Sequence, residues 1–208
     1  MESPWLTWAK RLHALASTGL HFGGSEFDKE RYQEVADIAK AMLADLSDLP
    51  IERLSQLMGE LGAGYVTPQV DVRGAVFRKG EILLVKEKSD GRWTLPGGYA
   101  DVGLSAAENV RKEILEEASI DVRVQRLIAV RHKAKHGYRP DIRDFYKFFF
   151  LCEATDQASD PAPGFETADA QYFQPDLLPE LSTGRVIEED LHLAWSFARD
   201  ATLPTQFD

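Results

Sequence analysis

Cysteine is almost absent from this sequence, since Cys152 is the only one among 208 residues. One thiol cannot form a disulfide within its own chain, so side-chain packing must hold the fold together. Cys152 ends the apolar stretch Phe148–Cys152, which favours a buried structural thiol over a nucleophile. The near absence of cysteine fits a chain that works in a reducing, cytoplasmic setting.

Long hydrophobic runs are also missing. The longest, Phe148–Cys152, is far shorter than the roughly 20 apolar residues that a membrane-spanning helix needs. Lys10 and Arg11 interrupt the apolar pattern near the N-terminus, so no signal-peptide core follows. We therefore expect no membrane partner.

Positive charge is scarce: 24 Lys and Arg stand against 34 Asp and Glu, a formal net charge of −10. Such a chain repels polyanions, which counts against long nucleic acids as partners. A small anionic substrate remains possible, because a bound divalent metal can dominate the local field. Hydrophobic residues make up 44% of the chain, enough for one large domain or one domain with a small appendage.

The first 65 residues carry helical patterns. Apolar residues recur at helical spacing over Trp5–Leu15 and, after Asp28, over Tyr32–Met42. A third pattern covers Asp48–Leu61, with a proline near its start. We predict a small N-terminal helical domain over residues 1–65 and a second domain over residues 66–208.

The tryptophans of the first pattern, Trp5 and Trp8, fit either a core contact or a dimer contact better than a ligand site. Apolar stripes on so short a helical segment need a partner surface. We expect the segment to pack on the second domain or on a second subunit, which would make the protein a homodimer.

From residue 66 onward, short apolar runs with β-branched residues predict strands. The predicted strands are Val70–Phe77, Ile82–Val85, Trp93–Leu95, Val122–Val130, Phe145–Cys152 and Gln171–Phe173. One predicted helix runs through Glu117 and another covers Arg185–Arg199. This irregular mixture favours an α/β or α+β sandwich over a regular parallel series.

An acidic helix follows the glycine-rich loop Pro96–Gly98. Residues three and four apart share a helical face, and the carboxylates that do so here are Glu113, Glu116 and Glu117. A solvated acidic face would explain such a string by itself. The glycines favour a second interpretation, because they let main-chain groups approach a phosphate or metal beside the carboxylates. Oxygen ligands of this kind suit Mg²⁺ or Mn²⁺.

The stretch from Gly98 to Ile120 resembles the Nudix box, Gly-x5-Glu-x7-Arg-Glu-U-x-Glu-Glu-x-Gly-U, where U is a large aliphatic residue. The matching positions are Gly98, Glu113, Ile114, Glu116, Glu117 and Ile120. The departures are Leu104 for the first Glu, Lys112 for the Arg and Ser119 for the second Gly. Lys112 lacks the fixed fork of Arg, and Ser119 ends a helix less favourably than Gly.

The resemblance extends beyond the box. The flank Trp93–Gly98 is typical of the Nudix family. Thr67–Arg73, following a helical N-terminus, is similar to a bacterial subfamily that includes CDP-choline pyrophosphatase and ADP-ribose pyrophosphatase-like members. The resemblance implies a Nudix α/β/α sandwich with a mixed sheet.

The resemblance also implies roles for individual residues. Mg²⁺ or Mn²⁺ would be held by Glu113, Glu116, Glu117 and Gly98, and the catalytic residues would be Glu116, Glu117 and Glu166. We consider Glu166, on a loop before the last predicted strand, as the general base. The alternative is that Glu166 is an ordinary exposed loop carboxylate. Glu116 is the second candidate for the base. The candidate substrate-binding residues are Arg73, Gly97, Gly98, His132 and Lys133.

Some of these residues have simpler interpretations. A structural ion pair explains Arg73 better than substrate binding does. His132 and Lys133 fit a basic edge that receives the substrate and an ordinary solvated loop about equally well. The resemblance leads us to expect a metal-dependent pyrophosphohydrolase whose substrate is a small nucleoside diphosphate derivative. Trimming of RNA 3′ ends or caps, and nucleotide sensing without catalysis, are the alternatives.

Overall fold

The computed structural model describes residues 2–47 and 65–208. The chain divides into two compact units, each considered by itself. The first contains the described part of Met1–Gln69 together with Ala134–His136 and Pro140–Phe145, and the second contains Val70–Lys133, Gly137–Arg139 and Tyr146–Asp208. The third helix predicted from Asp48 lies outside the described residues.

Two helices form most of the described first unit: α1, Pro4–Phe22, and α2, Glu26–Ser47. The Ser3 hydroxyl caps α1 by accepting the Leu6 N–H at 3.3 Å. Helix α2 begins at Glu26, two residues before the Asp28 expected to precede it, because Ser25 accepts the Asp28 N–H at 3.1 Å and serves as the cap. The buried cluster of this unit is Leu6, Ala9, Leu43 and Ile142.

Trp5 and Trp8 do not belong to that cluster. Their rings contact each other edge to face with centroids 4.9 Å apart, and the residues are 59% and 48% exposed. The suggestion that they form a core contact is therefore wrong. Leu15 and Phe22 are also exposed and continue the same helical stripe. Within the described ranges, no helix is long and apolar enough to cross a membrane.

The second unit contains a mixed sheet, with seven strands in the described part of the chain. They are β1 Gln69–Arg78, β2 Glu81–Glu87, β3 Trp93–Thr94, β4 Val122–His132, β5 Phe145–Ala154, β6 Thr167–Phe173 and β7 Gln206–Phe207. The order is β3-β2-β1-β5-β4-β7, and β6 also pairs with β2. Strand β4 runs antiparallel to β5 and parallel to β7. The sequence did not predict β7, which has only two residues.

The two faces of the sheet are covered by different helices, α3 (Ala106–Ala118) and α4 (Glu188–Arg199). Side chains alternate between faces along each strand. Ile82 and Leu84 belong to the same buried cluster as Trp195 of α4, whereas Leu83 and Val85 belong to the cluster that contains Ile114 of α3. The predicted α/β/α sandwich with a mixed sheet is confirmed.

The first strand separates from the second and pairs with the glycine-rich loop. Next to their turn, β1 and β2 pair through Phe77 with Ile82. Nearer the start of β1, its partners come from the loop instead. The Gly74 N–H donates to Pro96 O at 2.9 Å, and the Val72 N–H donates to Gly98 O at 2.8 Å. Backbone hydrogen bonds to β1 therefore hold the loop in register without help from any side chain.

Helix α3 has a regular start and a strained end. Ser105 and Glu108 form a complete capping box at its N-terminus. At its C-terminus Ser119 has φ 57° and ψ 26°, the left-handed conformation. A side chain there costs about 1–2 kcal/mol relative to right-handed backbone, and glycine avoids most of this cost. The departure of Ser119 from the box therefore has a structural consequence.

Replacing Ser119 by Gly should raise the free energy of unfolding by about 0.5–1 kcal/mol, because glycine adopts positive φ without steric strain. Urea denaturation would measure the change. Ser196→Gly, in the interior of α4, is the matched control and should lower stability by about 0.5 kcal/mol. A loss of stability in Ser119→Gly would contradict this account of the helix end.

Candidate active site

Glu117 is the buried carboxylate of the acidic helix, with 7% of its surface exposed. Its Oε2 accepts the backbone N–H of Gly97 at 2.8 Å, which joins α3 to the glycine-rich loop. Gly97 has φ 145°, and a Cβ there would lie 2.0 Å from the carbonyl oxygen of Val72. Glycine lets the loop lie close to β1 at this point, and there the Gly97 N–H reaches Glu117.

Burial is the main influence on the acid–base properties of this carboxylate. It raises the pKa of Glu117 to about 7, against the opposing effects of the Arg73 charge and the Gly97 hydrogen bond. Burial also raises the pKa of Glu113, which is half-buried and lies beside Gly98. Negative charges from neighbouring carboxylates, including Glu166, add to the shift at Glu113. The positive charge of the neighbouring side chains therefore does not balance the negative charge of these carboxylates.

The positive charge that acts on Glu117 belongs to Arg73, which is fixed in a buried ion pair. Its Nε and Nη2 donate to the two carboxylate oxygens of Asp71, both at 2.9 Å, and its Nη1 donates to Leu95 O at 3.2 Å. This bidentate geometry agrees with the structural ion pair that the sequence favoured. Contact of Arg73 with substrate stays a prediction.

Lys147 completes the buried group. Its Nζ donates to Asp71 Oδ1 at 2.9 Å, and the side chain is almost wholly buried. Burial alone would raise the pKa of Asp71, but the charges and hydrogen bonds of Arg73 and Lys147 outweigh it and hold the pKa far below its usual range. Asp71 therefore stays ionised between two cations and keeps Arg73 in place under the loop.

Glu116 lies on the exposed side of the acidic helix. It pairs with Lys112 at 3.5 Å, and Lys112 donates to Asp101 Oδ2 at 2.8 Å. Lys112, which stands where the Nudix box has Arg, thus links the helix to the loop before it. Both contacts are exposed, so they contribute little to stability.

Asn109 shapes the loop between Gly98 and the helix. The side chain is buried. Its Oδ1 accepts the Asp101 N–H at 2.8 Å, and its Nδ2 donates to the carbonyls of Asp101, Leu104 and Ser105 at 3.1–3.4 Å. A buried amide with all these partners fixes the loop path. No sequence pattern singled out this asparagine.

Glu166 immediately precedes β6, with an exposed side chain. Its carbonyl oxygen accepts the Lys88 N–H at 3.3 Å, so its backbone is attached to the end of β2. Its charge raises the pKa of both Glu113 and Glu87. The structure therefore brings Glu166 into the electrostatic neighbourhood of the acidic helix.

His132 and Lys133 stand at the end of β4, where the chain enters a short 3₁₀ helix, Lys133–Lys135. The His132 ring contacts Tyr146 with centroids 5.7 Å apart, and the backbone N–H of His132 donates to Asp208 Oδ2 at 2.6 Å. The strand end and 3₁₀ turn replace the loop that the sequence suggested. Their contact with a substrate stays a prediction.

The donor set fits a divalent cation. Glu113 and Glu117 are both desolvated carboxylates whose pKa is raised by burial, a state that a bound cation would relieve. Among the described residues, three metal-binding side chains are not already gathered at one point. Glu117 is hydrogen-bonded to Gly97 and Glu116 forms an ion pair with Lys112, so the trio would have to turn toward a cation.

Two residues of the buried group, Asp71 and Lys147, were not predicted as site residues, although the sequence carried signals for both. Asp71 lies two residues before Arg73, so both side chains fall on the same face of the strand and can pair. Lys147 interrupts the aromatic run Phe145–Phe150, where a lone cation needs a buried partner. No comparable signal marked Glu87, which pairs with Arg185 at 3.1 Å and is buried near Arg73.

Two family models match the chain. Residues 3–58 match one described as a UDP-X-like, N-terminal oligomerisation domain. Residues 67–193 match the NUDIX domain and include the whole acidic helix with its loop. The fold and the site together therefore define the class of protein: a Nudix domain that follows a helical N-terminal segment.

Individual relatives agree. A Bacillus subtilis protein provisionally named ADP-ribose pyrophosphatase YjhB is 43% identical over 100% of this chain and 99% of its own length. The crystal structure of an ADP-ribose pyrophosphatase from Streptococcus suis covers 68% of this chain and 100% of that one, at 39% identity and TM-score 0.62. A UDP-X diphosphatase structure covers 100% of both chains, at 33% identity and TM-score 0.63. The chain belongs to the Nudix family and is a hydrolase that acts on pyrophosphate bonds.

In metal-free protein, Glu117→Gln should change how stability depends on pH. The folded state keeps a proton on Glu117 between its ordinary pKa of 4.5 and its raised value of about 7, whereas the unfolded chain releases it. Wild-type stability therefore falls as pH rises through this window, and glutamine removes that contribution. We expect the variant to gain stability relative to wild type across it, measured by urea denaturation in EDTA.

Glu108→Gln is the control of opposite sign on the same helix. Backbone and side-chain hydrogen bonds from Ser105 lower the pKa of Glu108 from 4.5, so the ionised form stabilises the fold. That stability is present above 4.5 and is lost as pH falls below it. The control should therefore lose stability relative to wild type as pH rises toward 4.5. A constant difference between Glu117→Gln and wild type over its window would contradict the assignment.

Proposed function

We propose that this protein is a metal-dependent pyrophosphatase whose substrate is a nucleoside diphosphate linked to a small moiety, of the ADP-ribose or CDP-choline type. The observation that carries the proposal is the desolvated pair Glu113 and Glu117 beside the glycine-rich backbone, with the charge of Glu166 acting on Glu113. The names of the relatives support the substrate class, since two are ADP-ribose pyrophosphatases and one is a UDP-X diphosphatase.

Glu113, Glu116, Glu117 and the carbonyl of Gly98 would hold the cation, Mg²⁺ or Mn²⁺. When bound, the cation supplies charge neutralisation of the diphosphate and makes water a better nucleophile at neutral pH. Gly97 and its neighbours set the backbone beside which the diphosphate lies. Arg73 maintains positive charge behind Glu117 and favours the ionised carboxylate that a cation requires.

Hydrolysis needs a group that takes a proton from water. The water oxygen bonds to one phosphorus, and the bond from that phosphorus to the bridging oxygen breaks. The products are a nucleoside monophosphate and a phosphorylated partner. Glu166 suits the role of base because its carboxylate is exposed and it is not one of the cation-holding trio. Glu116, the second candidate, is paired with Lys112.

The test of the function is a screen of ADP-ribose, CDP-choline, UDP-sugars and a short RNA oligonucleotide with Mg²⁺, Mn²⁺ or EDTA, read by product identity. We expect a nucleoside monophosphate from a diphosphate derivative, with turnover lost in EDTA. Glu117→Gln should lower turnover about 10²-fold, and Glu153→Gln, an exposed carboxylate on β5, is its control. Cleavage of the oligonucleotide alone, or binding without turnover, would contradict the proposal.

Glu166→Gln should lower kcat by roughly 10²–10⁴-fold if Glu166 takes the proton. The acidic limb of the pH–rate profile should flatten, because glutamine does not titrate. The affinity for Mn²⁺ should barely change, since the residue lies outside the trio. A variant with normal kcat at every pH would return the role of base to Glu116.

We infer, in addition, that the N-terminal helices form the contact between two subunits. One face of α1 exposes four apolar side chains: Trp5, Trp8, Leu15 and Phe22. Exposed apolar patches of this kind mark association surfaces. The description of the matching family model as an oligomerisation domain supports the same inference.

Light scattering should give the mass of a dimer for the wild-type protein and of a monomer for the double variant Trp8→Glu, Leu15→Glu, because two carboxylates would have to be buried without partners. Gln125→Glu, which adds a carboxylate on the exposed side of β4, should remain a dimer. Wild-type protein that is monomeric at micromolar concentration would contradict the inference.

A further inference from the structure

The segment between β5 and β6 is attached to the C-terminal turn of α3. The last carbonyls of a helix have no partner within the helix. Here the Ala162 N–H donates to Ala118 O at 3.0 Å, and the Gly164 N–H lies 3.3 Å from Glu117 O. The two backbones are in close contact, as shown by the 1.7 Å that would separate a Cβ on Gly164 from Glu116 O. The segment therefore lies against the residues of the acidic trio.

Thr167 links the two backbones. Its hydroxyl donates to Glu117 O at 2.8 Å and accepts the Gly164 N–H at 2.7 Å. Only 1% of the residue is exposed, so water does not offer a substitute for either hydrogen bond. Without the hydroxyl, the carbonyl of Glu117 would keep only its longer contact with the Gly164 N–H, and losing one hydrogen bond costs about 0.5–1.5 kcal/mol. The hydroxyl is thus a defined connection between the acidic helix and the segment that carries Glu166.

Glu166 lies between two attachments of its own backbone. On one side is Thr167, bonded to α3. On the other side Lys88 donates its N–H to Glu166 O at 3.3 Å and its Nζ to Phe165 O. The Glu166 side chain is nevertheless exposed and acts electrostatically on Glu113. Its position relative to the trio is set by the backbone on either side.

We propose that Thr167 is a positioning residue, whose hydroxyl fixes the carboxylate of Glu166 relative to Glu117. This inference rests on the proposed role of Glu166 as the base. The physical reason is that proton transfer requires a base within hydrogen-bonding reach of the water. Displacing a catalytic group by about 1 Å costs roughly 10²-fold in rate. Thr167 does not touch the substrate and acts only through its neighbour.

Three substitutions test the link. Thr167→Val keeps the shape and removes the hydroxyl, and we expect kcat to fall roughly 10- to 100-fold. Thr167→Ser keeps the hydroxyl and should restore most of the activity. Thr155→Val is the matched control, because Thr155 Oγ1 donates to Asp121 O at 3.2 Å near the other end of the same segment. Its kcat should equal that of wild type.

Hydrogen exchange provides a readout that does not depend on turnover. In Thr167→Val the Gly164 amide loses the nearer of its two acceptors, Thr167 Oγ1 at 2.7 Å, and keeps only Glu117 O at 3.3 Å, so its exchange in the metal-free protein should become faster. In Thr167→Ser it should exchange as in wild type. An unchanged exchange rate at Gly164 in Thr167→Val would overturn the proposed link. Thermal unfolding of each variant shows whether the fold is kept.

The double variant Thr167→Val, Glu166→Gln separates positioning from a general loss of stability. If Thr167 acts through Glu166, the valine substitution should change kcat by less than about 2-fold in the Glu166→Gln background. Additive losses would overturn the inference and leave Glu166 as the base. A Glu166→Gln variant with wild-type kcat would instead overturn the proposed role of Glu166. The two failures are therefore distinguishable. Should Thr167→Val not fold, the comparison of Thr167→Ser with Thr167→Ala would serve the same purpose.

Discussion

The hydrogen bond between the Gly97 N–H and Glu117 is the interaction on which the site depends, because it joins the acidic helix to the glycine-rich loop. It requires a buried carboxylate, a backbone amide aimed at it, and a residue without a side chain at Gly97. Backbone hydrogen bonds from β1 hold the loop in register. The position of Glu117 is thus set by the sheet as much as by its own helix.

Burying this carboxylate has a cost that the surrounding charges offset only in part. Asp71 holds Arg73 by two hydrogen bonds, and Lys147 holds Asp71 from the other side. The charge of Arg73 opposes the burial that raises the pKa of Glu117, yet the pKa remains raised. Breaking such a buried group by removing one member costs about 3–5 kcal/mol. The unbalanced negative charge that remains is what a divalent cation would neutralise.

The carboxylates of the site come from separate parts of the chain. Glu113 and Glu117 lie on α3, Glu87 ends β2, and Glu166 precedes β6. Glu87 pairs with Arg185, and the backbone of Glu166 is bonded to Lys88, so both contacts lie outside the acidic helix. The backbone of the Glu166 segment contacts the last turn of α3, and the Thr167 hydroxyl makes one of these hydrogen bonds.

The sequence by itself determined the local features. Spacing of three and four residues placed Glu113, Glu116 and Glu117 on one helical face, and short apolar runs with β-branched residues predicted most strands, since both signals act between near neighbours in the chain. The tertiary structure decided which of the three is buried, that Lys147 joins the pair of Asp71 and Arg73, and that the segment with Glu166 lies against the last turn of the acidic helix. These outcomes depend on contacts between residues far apart in sequence, and such contacts leave no periodic pattern.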